Sequence, residues 1–169
     1  TCALPISAAS GVVIESISAN ELNLTAFGDI AGTGQIQVSG TAVFDAGSNQ
    51  IQLSNAQSTI ATLSLTAGSA NMRITGDVAL DEVSVSNDLI LDVSGNVADV
   101  FEADISAGTA SVTATGDVVL DSGIKFGAVN LSAPTAMLDS AQDVQLGRVN
   151  VSTLALSAAG HISQTSDSE

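Results

Sequence analysis

Residues 76–97 read GDVALDEVSVSNDLILDVSGNV. Apolar residues alternate with small polar ones in Val83-Ser84-Val85 and again in Leu89-Ile90-Leu91-Asp92-Val93. A period of two puts successive side chains on opposite faces of an extended chain, so these runs are strands. Each run holds only three to five residues, and Gly, Asn, Asp and Ser separate them. A strand that short cannot bury a face alone. Parallel stacking on equivalent strands of further turns, about 4.8 Å apart, pairs the backbones and piles like side chains inward.

The opening Gly-Asp-Val-x-Leu recurs outward from this stretch in both directions. It appears as GDI at Gly28, NQIQL at Asn49, GNV at Gly95, GDVVL at Gly116, QDVQL at Gln142 and GHI at Gly160. The second motif residues, Asp29, Gln50, Asp77, Asn96, Asp117, Asp143 and His161, are spaced by 21, 27, 19, 21, 26 and 18. The first three spacings span 67 residues and the next three 65, which defines a unit of about 66 residues made of three turns. Residues 28–94 are one unit and 95–159 the next; 1–27 close a preceding unit and 160–169 open a further one. The stretch from Thr59 can be laid on that from Lys125 with coincident apolar positions. Starting and stopping out of phase is what a piece of a longer array is expected to do.

The expected fold is all-β, a parallel β-helix (β-solenoid) of about seven turns forming a single segment over 1–169. Its rod is roughly 35 Å long. No segment sustains helical spacing over three turns, and a 66-residue unit is short for a sandwich domain.

Composition narrows the function classes. The chain is 45% hydrophobic, nearly all Val, Ile, Leu and Ala, with four Phe, no Tyr and no Trp, which suits thin layers of strand. Three Lys and Arg against eighteen Asp and Glu give a formal net charge of -15, which repels phosphate backbones and anionic lipid alike. No nucleic-acid partner and no membrane insertion are expected. The charge-free stretch from Ala46 to Met72 is interrupted throughout by Ser, Thr, Gln and Asn, and no basic segment followed by an apolar run marks a signal peptide at the start. Cys2 is the lone cysteine, so no intrachain disulfide or zinc cluster can form.

Candidate sites are few. Asp77, Asp117 and Asp143, with Asp29 and the intervening Gln50, Asn96 and His161, sit at corners; as a ladder they are weak calcium candidates, and as turn formers they need no ion. The dense GGxGxD nonapeptides of calcium-binding solenoids are absent. His161 is the sole histidine, with nothing to place a nucleophile beside it. The pairs Asp81 with Glu82 and Glu102 with Asp104 have the residue types of a glycoside acid and base, yet only Arg73, Lys125 and Arg148 are available to line a sugar groove. A threonine ladder would need partners for Thr113 and Thr115 in every turn, and there are none. Asn23, Asn130 and Asn150 open Asn-x-Ser/Thr sequons. The expectation is no catalytic residue, no metal and no cofactor.

The motifs GDVALDEVSVSNDLILDVSGNV, VTATGDVVLDSG and LALSAAGHISQ resemble the filamentous-haemagglutinin-like exoproteins of bacteria, from about Ser10 to the end. Those proteins are written in repeats of GD(V/I)xL, LxLxA and AGxI. The resemblance implies a large, secreted, right-handed β-helix at the cell surface, serving adhesion, biofilm formation or display of a toxin tip. The secretion domain typical of the family is not evident here. The expected function is a structural and adhesive rod segment. The alternatives are an extracellular fibre subunit that stacks end to end and, more remotely, a β-helix polysaccharide-processing enzyme. Expected partners are neighbouring repeats of the same parent protein, other copies of the chain, or glycans and proteins of a host or cell surface.

Overall fold

The computed structural model describes residues 3–165 of the chain, which leaves residues 1–2, Cys2 among them, and 166–169 outside it. Every regular element among these residues is a β-strand. The strands join in a single sheet, and each pairing is parallel. The chain is a β-solenoid of about eight turns.

One column of paired residues shows the coil. It climbs from Val12 through Ile30, Ile51, Ala70, Leu89, Ala110, Val129 and Leu146 to Gln164, one residue per turn. Eight steps at the parallel spacing make a rod of about 38 Å. A single long strand supplies all sides of a turn. Val78–Ser94 pairs through Ala79 and Leu80, again through Val83 to Val85, and a third time from Leu89 to Ser94, so the extended backbone continues around two bends.

Eight turns stand close to the seven expected, and the difference lies in the two long motif spacings. Gln50 pairs with Ser69 one turn on, and Asp77 lies eight residues beyond Ser69. Likewise Asp117 meets Thr135 of the next turn, and Asp143 lies eight residues further. Each 66-residue unit is therefore three turns plus about eight residues of perimeter. Eight is even, so the displacement moves the pattern to another corner without exchanging inward and outward positions. That parity is why the apolar residues of the two copies coincide in sequence although they do not stand above one another.

Inward columns fill the bore. Leu24, Phe44, Leu65, Val83 and Ile105 stack in register, and Met72, Leu91, Val112 and Leu131 form another such column. All nine are buried. Bulk is balanced between neighbours: Phe126 lies over Ala107, which lies over Val85. At both ends the inward residues have one covering turn in place of two, and Ile6, Val12 and Ile17 at the first turn and Val151, Leu154 and Leu156 at the last are only partly buried. The column of Ile36 and Ile74 contains Ser58 between them, wholly buried and with no partner for its hydroxyl among the described residues.

Two substitutions test this packing with opposite signs. Phe126→Ala removes a wholly buried ring and lowers stability by about 3–5 kcal/mol. Ser58→Ala removes an unmatched buried hydroxyl and raises stability by about 1 kcal/mol. Urea titrations followed by circular dichroism read both, and a lower midpoint for Ser58→Ala contradicts the isolation of its hydroxyl.

Candidate functional site

The second motif residue holds an oxygen over a bend. Asp77 Oδ1 accepts from the backbone N–H of Asn96 at 2.8 Å and from its Nδ2 at 3.0 Å; Asn96 Oδ1 accepts from the N–H of Asp117 at 2.8 Å. Asp117 Oδ1 then accepts from the Thr135 hydroxyl at 2.6 Å. The same contact joins Asp29 to the N–H of Gln50 at 2.9 Å, Asn130 to Arg148 at 2.9 Å and Asp143 to His161 at 2.7 Å. Asp99 takes two amides, Asp121 at 3.2 Å and Ser122 at 2.8 Å. Each link crosses one turn, and in all but the Thr135 hydroxyl contact the side-chain oxygen satisfies a backbone amide where the bend interrupts the ladder.

The glycine before it answers to the same stacking. A Cβ on Gly95 would overlap the backbone of Gly76 and come within 2.7 Å of the Asp77 nitrogen. On Gly116 or Gly160 it would strike the very Oδ1 atom, of Asn96 or Asp143, that accepts the next amide. At Gly95, Gly116 and Gly160 the glycine thus brings two turns together at a corner, whereas Gly76 has nothing within 4 Å of its Cβ position and adopts φ 88°.

The three calcium candidates are not brought together. Asp77 and Asp117 share a column two turns apart with Asn96 between them, while Asp143 starts a separate pair with His161. Among the described residues no three His, Cys, Asp or Glu are grouped so as to hold a metal ion. Asp104 pairs with Lys125 at 2.9 Å, and the other cation-carboxylate pair, Arg73 with Asp92, is also 2.9 Å and exposed. Of the sequon residues, Asn23 and Asn150 are exposed in mid-strand, whereas Asn130 is half-buried and its Nδ2 donates to Ser111 Oγ at 3.0 Å. Thr113 pairs with Asp92 below and Ser132 above, so no threonine column forms there. Cys2 lies outside the described residues. No helix among them is long and apolar enough to cross a membrane.

One feature escaped the sequence reading. Leu80 is in register with Asp99 and Val83 with Ile105, so six steps of chain replace three. The surplus forms a turn closed by the N–H of Ala103 donating to the Val100 carbonyl at 3.1 Å, with Glu102 at φ 61°. Phe101 stands at its tip, 90% exposed. The groove beside it is lined by Phe101, Glu102, Asp121, Ser122, Gly123 and Asp139. The only advance signal was length, since Glu82 and Phe101 occupy corresponding bends on successive turns.

Corner substitutions separate fit from charge. Gly95→Ala forces a methyl into the backbone of the turn below and destabilises by about 1–3 kcal/mol. Asn96→Ala strands the Asp117 amide at a cost of about 1 kcal/mol. Asp139→Ala, whose carboxylate makes no such link, stays within about 0.5 kcal/mol of the parent. Equal effects at Asn96 and Asp139 in thermal unfolding contradict the structural role of the corner oxygens.

Comparison with curated proteins and with solved structures gave no match. A family model described as repeats of unknown function, DUF5649, matches residues 3–67 and 133–168, which is more than half of the chain. The first matched stretch has the length of one unit, and the second begins about one unit after the first ends. The chain belongs to this DUF5649 family of repeats.

Proposed function

We propose that the chain is a rod-forming segment of a secreted bacterial surface protein, with a structural and adhesive role and no catalysis of its own. The observation that carries this reading is the parallel stacking that continues from Ala3 to Gln164, with local register shifts, in which each interior strand has a partner above and below. Such stacking resists bending and local opening together, because fraying any interior strand breaks two rows of backbone hydrogen bonds. Length, stiffness and resistance to proteases are what a stalk needs. An outer surface of Ser111, Thr113, Asn130, Ser132 and Asn150 along consecutive turns, with Arg148 beside it, supports lateral contact with glycans or proteins through hydroxyl and amide groups.

A second reading is a subunit that stacks end to end on other copies, since parallel pairing lets any turn template the next. Among the described residues Ala3–Ala8 pairs with Glu21–Ala26 and Ile162–Gln164 with Val144–Ala158, each on one side. Negative-stain electron microscopy with concentration-dependent light scattering distinguishes the two. Short monomeric rods resistant to proteinase K are expected of the stalk. Long fibres of uniform width shift the assignment to the stacking subunit, and compact protease-sensitive particles overturn both.

A further inference from the structure

The four phenylalanines divide sharply. Phe44 and Phe126 are wholly buried, while Phe27 and Phe101 are 78% and 90% exposed. Phe101 differs from Phe27 in how it is displayed. Three extra residues relative to the turn below lift it off the wall, on a turn that places the non-glycine Glu102 in the left-handed region. The turn above is also shorter: Ala98 pairs with Val119 and Ser106 with Lys125, so eight steps face six. The ring therefore projects beyond both neighbours.

Its surroundings carry one sign of charge. Glu102, Asp121 and Asp139 line the adjoining groove, and Asp81 and Glu82 lie on the turn below. Their carboxylates make no ion pair or side-chain hydrogen bond among the described residues. Lys125, the cation on this side, is committed to Asp104.

We propose that Phe101 and the acidic groove beside it form a docking surface for a cationic polypeptide segment. A guanidinium or ammonium of the partner stacks on the exposed ring, and its neighbours meet Glu102, Asp121 and Asp139. Charge complementarity chooses this occupant. Nucleic acid and anionic lipid are repelled at a net charge of -15. A second copy brings the same acidic rim and only three cations, two of them already paired. The inference goes beyond the rod reading and does not depend on it.

The test uses the 169-residue chain and a short fluorescein-labelled peptide alternating Arg with Leu and Gly, followed by fluorescence anisotropy at low and high salt. Binding that weakens with salt is expected. Phe101→Ala and the pair Asp121→Asn with Asp139→Asn each weaken it about tenfold. The pair Glu15→Gln with Asp88→Asn, which removes the same charge from other parts of the rod, leaves it within about twofold. Unchanged circular dichroism spectra establish that all variants fold. Undiminished binding by Phe101→Ala, equal weakening by the two charge pairs, or no binding by the parent chain overturns the proposal. A Phe101-dependent dimer in sedimentation, which would assign the ring to a second copy, overturns it as well.

Discussion

The parallel backbone ladder governs everything else in this protein. It fixes the distance between turns at about 4.8 Å, close to the minimum at which two chains can lie side by side. Along straight segments that spacing is undemanding, since N–H and C=O groups meet directly and side chains point in or out. At bends it becomes a severe constraint. The peptide planes rotate out of line, the ladder loses amides, and any side chain in the wrong place collides with the turn beneath.

The motif is a local answer to that constraint. Glycine lets the backbones approach, and Asp or Asn supplies an oxygen to the amide that has lost its carbonyl, as in the run from Asp77 through Asn96 to Asp117. Either residue serves, because what is used is one acceptor atom and not the charge. The acidity of the corners is therefore a by-product of hydrogen bonding, whereas the acidity around Phe101 has no such partner to account for it.

Strand character, parallel stacking and the length scale of the repeat were legible because each is carried by many residues at once. Alternation in Val83 to Val85 or Leu89 to Val93 states which side chains face inward, whatever the turn. The number of turns was less legible. The motif marks corners without saying which corner, so Gln50 and Asp77 read as successive rungs although Ser69 is the true partner of Gln50. The Phe101 projection was not legible at all. A lone aromatic between Val100 and Glu102 has no periodic context, and its exposure follows from a comparison of path lengths on three adjacent turns.

The eight-residue advance of each unit has a geometric consequence for any array built from more of them. With turns of about 16 to 22 residues, eight residues is between about a third and a half of a circumference. Equivalent surface positions on consecutive units do not line up along one side of the rod but wind around it, nearly opposite one another at each step. Such an array has no privileged flank. A backbone position that faces one side in one unit has its equivalent facing towards the far side in the next, so the sides of the rod are set by each unit's own outward residues.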